Sequence, residues 1–207
     1  MADESSSTRD RLLAAAERLF LERGVNQVSV RAVNAEAGLN PGAVHYHFGS
    51  REGLVGALLE RELFPLWRDR LEGVAEQSPV GTSGRSLLDI RSLVAAVVEP
   101  FDDLVRSERG RMLCRLLAQT CLSADRPLVG SPWFGTAPFE VILGRALPHL
   151  SIREIADRWR LAFVMLLETY GRPLHSGNAA TTEPAFPEAQ TVIAFVTAGL
   201  TAPSAAG

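Results

Sequence analysis

From Thr8 to Arg23 the apolar residues Leu12, Leu13, Ala16, Leu19 and Phe20 recur at spacings of three and four. That period puts them on one face of an α-helix and leaves the charged residues on the other. The same period returns along the rest of the chain, and no alternating apolar–polar run of useful length interrupts it. The expected fold class is therefore all-α. Thr8 is the expected N-cap of the first helix and Gly24 its stop. Ser29 should cap a short helix through about Ala37. Asn40 should cap another with Pro41 in its first position, where a missing N–H costs nothing. Ser50 opens a longer helix carrying Leu54, Leu58 and Leu59, which Pro65 should kink or end because its ring clashes with the preceding turn.

Beyond that point the segments lengthen. Residues 77–85, "QSPVGTSGR", are a loop by composition. Helices are expected from about Ser86 to Arg106, from about Ser107 to Leu122 and near Phe134–Leu147, with "SADRPLVGSP" breaking the chain between the last two. Ser151 and Glu154 form a capping box. It opens a helix whose stripe of Ile152, Ile155, Trp159, Phe163, Leu166 and Tyr170 is rich in aromatics. Residues 172–184 read as a mobile segment, and a last apolar helix holds Val192, Ile193, Phe195, Val196 and Leu200.

The 207 residues are 46% hydrophobic and 22% charged, with a formal net charge of −3, which is soluble globular composition. No window is apolar enough to span a bilayer, and the polar, acidic start "MADESSSTRDR" is no secretory signal, so the expected location is the cytoplasm. Cys114 and Cys121 lie seven residues apart. On one helix their Cα atoms would be roughly 10 Å apart, beyond disulfide reach. All 21 cationic side chains are arginine, which reads as a coding bias. The acidic balance means that any nucleic-acid binding must use a local surface.

Residues 36–50, "EAGLNPGAVHYHFGS", place two histidines around a tyrosine between glycines. On a strand, His45 and His47 could share a metal; on a helix they sit about 200° apart and cannot. The Asn cap followed by Pro-Gly-Ala favours the helix. No nucleophile lies nearby, so no catalytic residue, metal ligand set or cofactor is expected here. Gly38 falls where a helix must stop in a left-handed residue, with Leu39 tucked back. Residues 29–48 thus read as helix, tight turn, helix. Val44 and Phe48 should face inward onto Phe20 and Leu13, leaving Gly42, Ala43, His45, Tyr46 and His47 outward or at the edges.

The run "TRDRLLAAAERLFLERGVNQVSVRAVNAEAGLNPGAVHYHFGSREGLVGALLER" (8–61) resembles the DNA-binding domain of TetR-family transcriptional regulators. The resemblance implies a DNA-binding head over 1–62 and a larger ligand-binding and dimerisation domain over 63–207. It implies phosphate contacts from Ser29 and Arg31, with Asn40, Pro41, Gly42 and Ala43 at the groove floor. His45 would reach a base edge or phosphate, Tyr46 and His47 would clamp the backbone, and Arg51 would add a phosphate contact. The family usually has a small Ala where this chain has Asn34, a position at which a buried amide must find hydrogen bonds. Residues 1–62 carry seven arginines against nine carboxylates, 7 − 9 = −2, so the DNA face must segregate its arginines.

The resemblance further implies a homodimer through the helices at about 151–170 and 186–200, and a pseudo-palindromic operator of double-stranded DNA. It also implies an apolar small-molecule effector that weakens DNA binding. Candidate pocket residues are Trp67, Phe101, Met112, Leu116, Trp133, Phe134, Phe139 and Trp159, with Arg115, Gln119, His149 and His175 as polar anchors. When bound to DNA the protein would be nucleoid-associated. Two other readings stand beside this one: a helical enzyme using His149 or His175, and an adaptor that kept the fold but lost DNA binding.

Overall fold

The computed structural model describes residues 2–76, 89–122, 143–172 and 185–204. Every regular element among them is helical: α1 (Ala2–Arg23), a 3-10 turn (Val25–Gln27), α2 (Val30–Glu36), α3 (Ala43–Phe48), α4 (Arg51–Glu76), α5 (Ile90–Val105), α6 (Glu108–Leu122), a short helical turn at 143–146, α7 (Ile152–Gly171) and α8 (Ala189–Thr201). The loop expected at 77–85, the helix start at Ser86, the break at 123–132, most of the helix over 134–147 and the segment 173–184 lie outside the described residues.

The predicted face of α1 is the buried one: Leu12, Leu13, Ala16, Leu19 and Phe20 are all 2% exposed or less. The helix starts at Ala2, six residues before the expected cap, since no glycine or proline precedes Gly24 to break it. Pro65 neither ends α4 nor divides it. Leu58, Leu59 and Leu63 are buried before it, and Trp67 and Leu71 pack on the core after it. Burying both halves outweighs the roughly 3 kcal/mol that an interior proline costs. The boundary expected near residue 62 accordingly falls inside a continuous helix.

Helices α2 and α3 are joined as the glycine predicted. Gly38 has φ +64°, its N–H donates to Ala35 O at 3.0 Å, and Leu39 N–H donates to Asn34 O at 2.9 Å. This paired return closes the orphan carbonyls at the end of α2. The start of α3 differs from expectation. The Asn40 side chain accepts from Gly42 N–H at 3.0 Å and folds residues 40–42 into a turn, so the helix begins at Ala43. Gly42 is its N-cap and has no side chain with which to cap. Asn34 supplies the missing acceptor from the neighbouring helix. Its Oδ1 accepts from Val44 N–H at 3.0 Å and its Nδ2 donates to Pro41 O at 2.6 Å, with the residue 1% exposed.

In the body, α5 packs on α4, α6 and α8, and α6 packs on α7. Ser151 caps α7, its Oγ accepting from Glu154 N–H at 3.2 Å, while the Glu154 carboxylate takes Arg158 at 2.7 Å and Ser204 at 2.8 Å. Arg158 also donates to the carbonyls of Leu200, Ala202 and Pro203, which pins the end of α8 to α7. Cys114 and Cys121 are free thiols, and burial pushes them up to about 12 and about 11. Head and body meet at an ion cluster. Arg109, at the start of α6, pairs with Glu17 of α1 and Glu62 of α4, and Arg61 pairs with Glu62 at 2.6 Å and Glu17 at 3.3 Å. Burial acts to raise the Glu62 carboxyl, but hydrogen bonds and charge from Arg109 and Arg61 outweigh it and hold the group below its ordinary 4.5.

Two outcomes follow from these contacts. Asn34→Ala removes a buried cap and should cost about 1–2 kcal/mol, read as a lower denaturant midpoint at unchanged slope. Arg109→Ala should cost about 1 kcal/mol at neutral pH, a value discounted for the half-exposed guanidinium. A carboxyl lowered in the folded state stabilises above its unfolded value, and that stabilisation is lost as pH falls through the folded value. The gap between wild type and Arg109→Ala should therefore be full above pH 4.5 and shrink as pH falls below it.

Candidate nucleic-acid interface

The exposed side of α3 is built by its neighbours. Val44 is fully buried and Phe48 half-buried, and the Arg9 guanidinium lies over the Phe48 ring, 5.2 Å from its centroid. With these two held inward, helical geometry turns His45 and Tyr46 to solvent. Tyr46 is 85% exposed, its ring edge-on to that of half-buried His47 at 5.0 Å between centroids. Asn40, Pro41 and Gly42 are exposed just ahead of the helix. Ala43, expected outward or at the edge, is buried at 7%: α3 begins two residues later than predicted, and this residue meets the core.

Gly42 has φ −91°, a value open to any residue, and a Cβ there would meet only Asn40 Oδ1 at 3.5 Å, an ordinary contact. The head itself therefore has room for a side chain at this position. What a side chain would change is how closely a partner can approach.

The other predicted contact residues divide by what already holds them. Ser29 is exposed and caps α2, its Oγ accepting from Ala32 N–H at 3.2 Å. Arg31 is exposed beside it. Arg51 is half-buried and faces inward: it donates to Val25 O at 2.7 Å and Val28 O at 3.3 Å, with its guanidinium 5.9 Å from the Phe20 ring centroid. It closes the segment between α1 and α2 onto α4. Arg11 makes a similar bracket to Ala37 O at 2.7 Å, and Arg18 pairs with Glu36 at 3.0 Å. Among the described residues, ion pairs or carbonyls thus hold Arg11, Arg18, Arg51 and Arg61, leaving Arg9, Arg23 and Arg31 as the head's unpaired cations.

The candidate effector residues are scattered more widely. Phe101, Met112, Leu116 and Trp159 are buried in the body at 5% exposure or less. Trp67 is half-buried with its indole N–H on Val97 O at 3.0 Å, and Gln119 is half-buried. Arg115 and His149 are exposed, which removes both from an interior wall: on α6 the inward positions are taken by Met112, Leu113, Leu116 and Leu117. Trp133, Phe134, Phe139 and His175 lie outside the described residues. The structure joins Trp67 and Phe101, edge-on at 4.9 Å, and adds two rings that the sequence did not single out for a site, Tyr170 and Phe186. Among the described residues no group of three or more His, Cys, Asp or Glu side chains could hold a metal ion, and no helix is long and apolar enough to cross a membrane.

The sequence profile "Bacterial regulatory proteins, tetR family" matches residues 12–58, the stretch that carries α2, the turn and α3. The HTH-type transcriptional repressor BepR of Brucella suis is 29% identical over 118 residues, 57% of this chain and 53% of that protein. The chain spans about half the length of the curated relatives it matches. The fold is that of NalD, the secondary repressor of the MexAB-OprM multidrug efflux pump in Pseudomonas aeruginosa. The two structures superpose with a TM-score of 0.60 at 21% identity, over 95% of this chain and 96% of that one. RolR in complex with resorcinol has the same fold, with a TM-score of 0.57 at 14% identity over 98% and 97%. Residues 12–58 thus match the segment that defines the bacterial regulatory proteins of the tetR family, and they sit on a helical body with the fold of NalD.

Proposed function

We propose that this protein is a sequence-specific transcriptional repressor that binds a pseudo-palindromic operator as a homodimer and leaves it when a small apolar effector binds. In this reading residues 1–62 are the DNA-binding head, residues 63–207 bind effector and form the dimer, and the protein works in the cytoplasm, on the nucleoid when bound to DNA. The observation that carries it is the pairing of an exposed, sterically unneeded Gly42 with an 85% exposed Tyr46 on the outward side of α3. A short helix without bulk at its leading end can enter a major groove, and an aromatic hydroxyl at its flank can reach a phosphate.

The roles follow from position. Ser29 and Arg31 contact phosphates at the start of α2. Asn40, Pro41 and Gly42 face the groove floor, and Ala43 contributes its small volume from the buried side. His45 reaches a base edge or phosphate, and Tyr46 and His47 hold the backbone. Arg51 is a structural bracket here, and Arg9, above Phe48 and without an ion pair among the described residues, takes its place as a phosphate contact.

The dimer reading rests on where apolar surface is exposed. Of six large hydrophobic side chains exposed among the described residues, Ile152, Leu161 and Val164 lie on α7 and Phe195 on α8. Covering them with a second copy would remove the surplus from water. The effector reading rests on the shared fold with RolR, whose structure is a complex with resorcinol, and on the apolar interior around Phe101 and Trp67.

Selecting duplexes from a random pool and then measuring variants on the winner tests the docking mode. Tyr46→Ala should weaken all sequences alike, whereas Gly42→Glu should abolish binding while leaving thermal stability within about 1 kcal/mol. With three unpaired arginines per head, log affinity should fall with log salt at a slope no steeper than about −5 for a dimer. Unchanged affinity in both variants defeats this mode of binding. Separately, Leu161→Glu combined with Phe195→Glu should give a folded monomer in sedimentation that no longer retains the selected duplex. A persistent dimer would place the interface elsewhere.

A further inference from the structure

Tyr170, one residue from the end of α7, is 1% exposed. Its ring lies against Phe101 of α5 at 5.2 Å and 10° between planes, and against Phe186 at 6.2 Å and 14°. The next residue, Gly171, holds α7 directly on α6: a Cβ there would stand 2.2 Å from Ala118 Cβ and 2.9 Å from Cys114 O. Stacked on two rings and fixed by that crossing, the phenol cannot swing to water. Yet its hydroxyl oxygen is buried without a hydrogen-bond partner among the described residues. The neighbouring Trp67 shows the ordinary solution, its indole N–H satisfied by Val97 O. A phenylalanine at 170 would stack equally well and avoid the desolvation penalty of an unpaired hydroxyl.

The surroundings define what could satisfy it. Burial first, then the negative charge of Asp102, pushes the phenol up to about 12, so at neutral pH it keeps its hydrogen and can donate it. The Cys114 thiol is itself kept protonated by burial. The cations on the adjoining helices are engaged elsewhere: Arg106 pairs with Asp102 at 2.5 Å, Arg111 donates to Val105 O at 2.9 Å, and Arg115 is exposed. An anion brought to this hydroxyl would lose its hydration beside Asp102 and gain no positive partner.

We propose that the Tyr170 hydroxyl is the polar anchor of the effector site, donating to an uncharged oxygen or nitrogen acceptor on an otherwise apolar molecule. This rests on the reading of the protein as an effector-released regulator and adds to it a residue and a ligand class: neutral, apolar, with one acceptor, and not a carboxylate.

A matched set of naphthalenes tests it on the full-length protein: 2-acetylnaphthalene, its near-isostere 2-ethylnaphthalene, and 2-naphthoate, each titrated calorimetrically against wild type and Tyr170→Phe. Wild type should prefer the ketone to the hydrocarbon by about tenfold and bind the carboxylate weakest. Tyr170→Phe should fold at least as stably and bind ketone and hydrocarbon alike. An equal preference in both proteins, or no preference in wild type, overturns the anchor, and the wild-type comparison holds even if the variant fails to fold. A destabilised Tyr170→Phe with unchanged affinities would assign the hydroxyl to a bound water and also overturn it. Adding the ketone to the operator complex separates the two levels. A preference lost in Tyr170→Phe without any release of DNA keeps the anchor and removes the effector reading. Equal release from wild type and variant does the reverse.

Discussion

The head depends on one buried amide. Asn34 sits on α2 where close crossing with α3 leaves no access to water, and both ends of its side chain are used, by Val44 N–H and Pro41 O. Its backbone carbonyl also receives Leu39 N–H and closes the turn. A helix normally finds its first acceptor in its own N-cap side chain. Here that position is Gly42, which has none, so the capping has moved to a residue eight positions earlier on another helix. The consequence is steric: the leading end of α3 is capped from behind, and its front carries no side chain. An amide at this crossing is compatible with the fold because it is fully satisfied, and it couples the orientation of α3 to that of α2 by two directional bonds.

The arginines show a related division. An acidic head has few cations to offer, and those on its inner side act on carbonyls and carboxylates of the protein itself. Arg51 and Arg11 close backbone carbonyls that the short segments around the 3-10 turn and the end of α2 would otherwise leave to solvent. Arg61 and Arg109 join α1, α4 and α6. Residue type alone cannot separate a bracketing arginine from a phosphate-binding one, because the guanidinium fork suits both carbonyls and anionic oxygens. Which role it takes depends on what lies within a side chain's length, and that is a tertiary fact.

Much of the architecture was legible because it rests on period. The apolar stripe of α1, the glycine return at 38, the Ser29 and Ser151 caps and the inward Val44 are all local consequences of spacing and backbone geometry. The misreadings share a different cause. Asn40 carried the local signature of an N-cap, but its side chain folds a turn while a distant Asn does the capping. Pro65 carried the local signature of a break, but the apolar residues on both sides of it are buried. Ala43 and Arg115 were placed on the wrong sides: Ala43 joins Val44 in the core, and on α6 the inward positions go to Met112, Leu113, Leu116 and Leu117. Tyr170 read as one more ring in an apolar stripe. Only its neighbours reveal that its hydroxyl has nothing to bond.

Helix α6 links the head to the aromatic stack of the body. Its first turn carries Arg109, held by Glu17 and Glu62 in the head, and five residues later Cys114 lies under the Tyr170–Gly171 crossing. A ligand shifts a conformational equilibrium only by the difference in its affinity for the two arrangements. A tenfold difference is about 1.4 kcal/mol, whereas an exposed ion pair is worth about 0–1 kcal/mol. The ion pairs tying α6 to the head are therefore of the same order as what one modest ligand can supply. In the proposed reading, a small molecule held beside the aromatic stack acts on the head through α6 and its arginine–glutamate pairs, and through α4, whose buried residues continue from head into body.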